Sequence, residues 1–479
     1  MLLILVGRLV HFALLLLTLR VATELLLPSE MGKIAIVTAT VAFFALLFVN
    51  PVGMFVNRRV HAWNASGRAK SCYSYFWLYL VAVSLCASFA LFALDWLDLW
   101  NPSVGIYWLI ILVCGNVFIG TVNQTVIPGL NMFGFSGWFI SLTVATAATS
   151  LVCAVVLARV VSPTAEYWLS GLLMGQLIVG ALGTKVFFDR LQGKGGGVAG
   201  FSNVSPQQFK SLFGFAWPIS IAVGLGWVQG QGYRYIMEEG MGLVELGLFV
   251  AGFGISAGLI SAVDTIFSTY YQPKFYARIT GDNPNEQSHA WIEYAQAILP
   301  ALLLTSVFIM ATASELTDLL LGERYRQSAS FVAWGALAEL TRLSTAVFGL
   351  AAHARMHTKL LLLPNLVGAV GAMVLIGWLA PVYGSDGVGM GLVCASLGGL
   401  LIAVYMTVRY LEIVLPLNLL AISALMGGVV FVAAHYLDYS FPTGESRWVS
   451  FARLCVVGAI FLAFQYSMLL RTLKNSSLR

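Results

Sequence analysis

Residues 1–26, MLLILVGRLVHFALLLLTLRVATELL, decide how the rest of the chain is read. The stretch is long enough to cross a membrane, which takes roughly 20 mostly apolar residues in a helix. It nevertheless carries Arg8, His11, Arg20 and Glu24 among Leu, Val, Ala and Phe. A charge at the bilayer centre costs on the order of 2.5 to 3.5 kcal/mol on insertion scales, so ionisable residues there either snorkel to an edge or face a protein-lined cavity. Arg8 and His11 are three residues apart and share one helix face. At about 1.5 Å per residue Arg8 stands roughly 12 Å from the helix start, within snorkelling reach of one interface. His11 reads either as a hydrogen-bonded buried imidazole or as a proton carrier, because the group titrates near neutrality when modestly perturbed. Arg20 and Glu24, at i and i+4, have the spacing of a structural ion pair.

Outward from this segment the same composition continues. The 479 residues are 59% hydrophobic and only 10% charged, with a mean hydropathy of +0.86, against about 25% charged in an average soluble domain. The chain is expected to be an all-α polytopic membrane protein without a sizeable soluble domain. The first run ends at Pro28-Ser29-Glu30 with no small-residue cleavage site, so it reads as a retained helix and not a signal peptide. Cys72, Cys86, Cys114, Cys153, Cys394 and Cys455 are far apart, form no CxxC pair and have no His at ligand spacing, so they read as small buried hydrophobes and no metal site is expected.

Apolar runs of spanning length place fourteen helices at about 1–26, 32–56, 75–94, 105–127, 137–159, 168–188, 213–235, 243–269, 290–312, 331–350, 359–381, 388–409, 418–436 and 449–470. The fourth and fifth meet at an expected turn, Pro128-Gly129-Leu130-Asn131. Arg58, Arg59, Arg68, Lys70, Arg190, Lys194, Lys210, Lys274, Arg278, Arg355, Lys359, Arg409, Arg471, Lys474 and Arg479 fall on one side, and few basic residues fall on the other. By the positive-inside rule that side, with both termini, is cytoplasmic. The Gly-rich break 191–212 has the composition of a flexible linker; its Gly193-Lys194 lacks the spacing and the preceding strand of a phosphate loop. It divides the chain into an N-terminal lobe (1–190), a cytoplasmic linker (191–212), a C-terminal lobe (213–410) and a terminal helix pair (411–479). A weak internal repeat supports the division: setting Gly32 on Gly247 matches helix, short turn, Gly, helix and basic stretch, and brings Arg20 within one residue of Arg234. Several transporter folds build two lobes from such repeats.

Four stretches carry a resemblance: Leu26-Leu27-Pro28-Ser29-Glu30-Met31-Gly32, Asn57-Arg58-Arg59-Val60-His61-Ala62, Phe213-Gly214-Phe215-Ala216-Trp217-Pro218, and Gly242 to Phe249 leading to Tyr271-Gln272-Pro273. In these, and in its overall pattern, the chain resembles the Wzx-type polysaccharide-repeat flippases of the multidrug, oligosaccharidyl-lipid and polysaccharide exporter superfamily. The resemblance implies two six-helix bundles facing a cavity, alternating access, and movement of an undecaprenyl-diphosphate-linked oligosaccharide from the inner to the outer leaflet of a bacterial inner membrane. It also implies membrane lipids, a polysaccharide polymerase and a chain-length regulator as partners, with no cofactor and no nucleic acid. Many relatives carry an Asp near the end of the seventh helix, where this chain has Tyr233-Arg234-Tyr235.

Such a substrate is anionic at the diphosphate, polar at the glycan and apolar at the tail. Guanidinium groups suit the first, since Arg bonds phosphate bidentately and stays charged; aromatic and amide groups suit the second, and a greasy slot suits the third. The candidates for substrate contact are Arg8, His11 and Asn123, and Arg234 with Gln229, Gln231, Tyr233 and Tyr235. For Arg234 the competing reading is an outer-interface belt, where Tyr is enriched; for Asn123 it is a hydrogen bond between helices. Asp264, the i, i+3 pair Glu339 and Arg342, and the pair Arg20 and Glu24 are candidates for ion coupling or structural pairing. Two other functions remain open: a multidrug or metabolite antiporter, disfavoured by the terminal helix pair, and a membrane polymerase or glycosyltransferase. The second is disfavoured because the expected outer loop 313–330 has no His and no loop approaches domain size. The chain is therefore not expected to be an enzyme.

Overall fold

The structure, a computed structural model, describes residues 2–100, 102–191, 206–279, 284–354, 360, 362–411, 415, 417–440 and 447–477. Most of the expected linker, with Lys194, lies outside the described residues, as do Arg355, Lys359 and Arg479.

No strand occurs among the described residues. Helices are α1 (Leu2–Leu25), α2 (Pro28–Phe44), α3 (Asn50–Ala65), α4 (Ala69–Trp96), α5 (Ile106–Gly115), α6 (Thr121–Met132), α7 (Ser136–Val160) and α8 (Ala165–Arg190). They continue with α9 (Pro206–Gln231), α10 (Tyr233–Met241), α11 (Leu243–Arg278), α12 (Pro284–Ala311), α13 (Ala313–Leu320) and α14 (Ala329–Ala354). The last three are α15 (Leu362–Leu411), α16 (Leu417–Ser440) and α17 (Arg447–Ser477). One π-helical turn, Ala45–Val49, joins α2 to α3, and another, Asn116–Gly120, joins α5 to α6. Twelve stretches are long and apolar enough to cross a membrane. One of these, α15, is two helices broken at Gly384, whose φ of 60° only glycine adopts readily; α14, with 26 residues, completes the fourteen expected segments. The protein is thus an all-α polytopic membrane protein, a form in which each helix satisfies its own backbone bonds away from water.

Several boundaries differ from expectation. Pro128 does not end a helix: α6 runs through it to Met132, and the turn comes at Gly134, with φ of 84°. Gly129 lies so close to the Phe187 ring that a Cβ there would clash, so the packing of α6 on α8 holds the helix through the proline. The second segment is helical from Pro28 to Ala65, which puts Arg58 and Arg59 on α3 and not in a loop; Arg59 lies over the Phe55 ring, 4.6 Å from its centroid. The eighth continues to Arg278, so Asp264 is far from its end. Residues 313–330 are not an open loop but α13 followed by a 3-10 turn, Glu323–Ser328, with Glu315 buried.

The chain packs as two units, Met1–Tyr235 and Ile236–Arg479. In the first, α7 and α8 pack closely because Gly171 and Gly175, a GxxxG pair, leave no room for side chains against Ala154 and Ser150. Ser150 Oγ donates to the Leu172 carbonyl at 3.0 Å. In the second, α11 and α14 meet at Gly252 and Gly335, with Ser328 Oγ donating to the Leu248 carbonyl at 2.8 Å.

The terminal pair is tied to the second unit along its length. Arg453 of α17 lies 2.5 Å from Glu315 and 2.9 Å from Asp438, with the Arg453 and Glu315 side chains 5% and 3% exposed. Burial pushes the Glu315 carboxyl above its ordinary range, opposed by a backbone hydrogen bond and by Arg453. Farther along, Gln465 Nε2 donates to the Ala301 carbonyl at 3.0 Å, and Phe461 stacks on Phe308 with centroids 4.5 Å apart.

Candidate functional site

The first unit contains a seam in which α9 lies along α2 and α3, with Arg234 and Tyr235 at the start of α10 reaching α2. Its backbone explains its chemistry. The π-helical turn at Ala45–Val49 and Pro51, which has no N–H to donate, loosen the regular bonding of this helix. Two carbonyls there take side-chain donors: Ser220 Oγ reaches Leu47 O at 2.9 Å and Tyr79 Oη reaches Phe48 O at 2.8 Å. On the facing side Pro218, also without an N–H, lies inside α9, which stays helical from Pro206 to Gln231.

Between these helices lies a cavity of about 630 Å³, lined by Phe43, Phe48, Tyr79, Trp217, Ile221 and Trp227 with Leu, Val, Ala, Gly and Ser220 between them. Both hydroxyls on its wall are already engaged with backbone carbonyls. Trp227 Nε1 donates to the Ala39 carbonyl at 3.0 Å, and its ring meets Phe43 edge-on at 5.0 Å.

Beyond Trp227 the seam becomes polar. The helix breaks at Gly232, between α9 and α10. Arg234 Nη1 donates to the Ala35 carbonyl at 2.9 Å and approaches Thr38 Oγ1 at 3.0 Å. Tyr235 Oη shares a 2.9 Å hydrogen bond with Thr40 Oγ1, and its ring packs between Trp100 and Trp227. Arg234 forms no ion pair among the described residues. Its Nε and the Oε1 of Gln231 are buried without a hydrogen-bond partner there. Such unspent capacity is costly unless something satisfies it.

Tyr233 is 1% exposed beneath the Arg234 guanidinium, 5.9 Å from the ring centroid, so it supports the arginine from within. Gln229 is half-buried. Arg8 is exposed on α1 with its guanidinium 5.2 Å from the Phe139 centroid of α7, and His11 is half-buried one turn on. Arg20 Nη2 lies 2.8 Å from Glu24. Asn123 is buried between α6 and α8, donating to the carbonyls of Ile119 and Gln176 at 3.1 and 2.8 Å.

In the second unit Arg342 is bonded through Nε and Nη2 to Glu339 at 3.0 and 2.6 Å. Asp264 on α11 is an electrostatic neighbour of both. Among the described residues Arg342 pairs with Glu339, and Asp264 lies within electrostatic reach of that pair.

The reading from sequence missed Ser220, Tyr79, Trp227 and Thr38, which carry the seam, and Arg453. Only Arg453 had a signal of its own, a charge inside the run 449–470.

Neither a family model nor a curated relative matches the sequence. Solved structures do match the fold. The lipid II flippase MurJ, in an inward closed conformation, superposes with a TM-score of 0.71 at 11% identity, covering 99% of this chain and 100% of its own. An inward-facing multidrug resistance MATE family transporter of the MOP superfamily gives 0.56 at 14% identity over 86% of this chain and 94% of its own. A point mutant of the Vibrio cholerae MATE transporter VcmN gives 0.53 at 12% identity over 85% and 95%. The chain therefore has the fold shared by the flippase MurJ and the MATE transporters of the MOP superfamily.

Proposed function

We propose that the protein is a flippase that moves a lipid-linked oligosaccharide, carried on an isoprenoid diphosphate, from the inner to the outer leaflet of a bacterial inner membrane by alternating access. The observation that carries this reading is the extent of the likeness to MurJ, which takes in the terminal helix pair. The MATE transporters leave about one seventh of the chain unmatched. A terminal pair fixed by Arg453 and Gln465 is then part of the working protein. Lobes at 1–190 and 213–410 are the moving parts in this reading. Arg8 with His11, and Arg234 with Gln229 and Gln231, are the candidate contacts for diphosphate and sugar. Export of glycan repeats should fall in Arg8→Ala and Arg234→Ala variants present at normal membrane levels, and undiminished export in the double variant would count against these contacts.

A second reading, antiport of drugs or metabolites, is favoured by the MATE likeness and by Asp264, Glu339 and Arg342, two carboxylates and one guanidinium. An unmatched acid of this kind is a place for a coupling cation. Drug-driven cation flux in proteoliposomes, abolished by Asp264→Asn, would favour this reading; lipid-linked oligosaccharide movement without such flux would favour the first.

A further inference from the structure

The seam of the first unit has one feature of a ligand site at each end. Toward Phe213 it is a cavity of about 630 Å³, within the range of about 300–1,000 Å³ typical of ligand pockets. Its wall is apolar and aromatic, and its two hydroxyls are already spent on Leu47 and Phe48 carbonyls. A sugar or a diphosphate would lose its hydration there and recover no hydrogen bonds. A hydrocarbon chain would lose nothing. On the lining, Phe48, Phe213, Trp217 and Ile221 are also exposed at the molecular surface, so the apolar wall continues outward. An apolar surface of this kind suits contact with a hydrocarbon chain.

At the other end stands Arg234. It comes seven residues after Trp227, the last aromatic of the cavity wall, across the break at Gly232, and the ring of its neighbour Tyr235 lies 6.0 Å from that of Trp227. Among the described residues its charge has no carboxylate partner, and its Nε and the Gln231 amide oxygen are unsatisfied. Both ends are built on the same helix pair: Ala35 and Thr38 of α2 hold the arginine, while Phe43 to Val52 wall the cavity. The order along the seam is cation, amide and phenol, then hydrocarbon-compatible wall.

We propose that this seam binds an amphiphile with an anionic head and one long hydrocarbon chain, with the chain in the cavity and the head at Arg234. The inference rests on the flippase reading for the source of the occupant, which is the transported lipid and not bulk phospholipid. It assigns the tail a place in the first unit and gives Ser220 and Tyr79 a positioning role, holding the loosened backbone that forms the cavity wall.

The test uses the full-length protein in detergent with a long-chain polyprenyl diphosphate that carries a benzophenone at the tail end. On illumination the label should map to residues 212–228 or 43–52, and unlabelled polyprenyl diphosphate should displace it. Ile221→Trp and Gly224→Leu fill the cavity. Ile221 is exposed, and a Cβ on Gly224 would meet Leu47 only at 3.7 Å, so each is tolerated by the backbone. Labelling should fall at least about tenfold in both, while Arg234→Gln should weaken displacement by the diphosphate without moving the labelled peptide. Three results would overturn the proposal: label elsewhere in the chain, displacement by phosphatidylglycerol as good as by polyprenyl diphosphate, or equal labelling by an uncharged polyprenol. The measurement reads binding alone, so loss of the site with glycan export intact would remove the seam and leave the flippase reading standing.

Discussion

Arg453 of α17 and Arg234 of α10 are partly buried guanidinium groups in surroundings that differ in kind. Arg453 is 5% exposed and is met by two carboxylates, Glu315 and Asp438. Arg234 is met by a carbonyl and a hydroxyl, and by no carboxylate among the described residues. A buried ion pair costs desolvation that only a close partner offsets. The first arrangement closes on itself and fixes a helix pair to its unit. The second keeps capacity for an anion and stands beside an apolar cavity. Arg453, which serves architecture, comes with its counter-charges; Arg234, proposed to meet substrate, does not among the described residues.

The sharpest way to break this contrast is to remove one half of the closed pair. Glu315→Ala leaves Arg453 with Asp438 as its carboxylate partner among the described residues and should cost somewhat less than the roughly 3–5 kcal/mol of a buried charge left wholly unpaired. The cost should be seen as a large fall in the thermal midpoint in detergent and as early proteolysis of the terminal helices. Glu315→Leu combined with Arg453→Met should recover much of that loss, since an apolar replacement of the whole pair removes the charge as well.

Arg234→Ala should behave in the opposite way. The midpoint should shift little, because no carboxylate is orphaned, while affinity for an isoprenoid diphosphate should drop by roughly tenfold or more, as expected of hydrogen bonds to a charged group. Arg234→Lys should restore only part of the affinity, since an ammonium lacks the planar fork. Equal thermal losses for Arg234→Ala and Glu315→Ala would erase the distinction.

Ser220→Ala leaves the Leu47 carbonyl without its side-chain donor. A loss of about 1 kcal/mol is expected, together with a weaker tail-labelling signal, because the cavity wall is no longer held. The smallest effect belongs to Glu24→Gln. Glu24 is 54% exposed in its pair with Arg20, and an exposed i, i+4 pair contributes at most about 0.5 kcal/mol, so both midpoint and export should be nearly unchanged.

Much of the fold was legible in the sequence, because a spanning helix is a local property of about 20 residues. All fourteen segments could be placed from hydropathy, and the pairs Arg20 with Glu24 and Glu339 with Arg342 from their helical spacing. Pro128 misled because a missing donor usually ends a helix, whereas packing of Gly129 on Phe187 sustains this one. The partners in the seam were illegible for a different reason. Arg234 and Ala35, Ser220 and Leu47, or Arg453 and Glu315 stand far apart in the chain, and no local pattern joins them. Arg234 itself was visible as a charge among amides and tyrosines; that its neighbours on α2 leave it without a carboxylate was not.

The most direct measurement is transbilayer movement of a fluorescent lipid-linked oligosaccharide in proteoliposomes of the purified protein, followed by quenching of the outer leaflet. Movement well above that in protein-free vesicles is expected, at least about tenfold slower in Arg234→Ala at equal protein content. Movement no faster than in empty vesicles, with robust drug-driven cation flux in the same preparation, would contradict it.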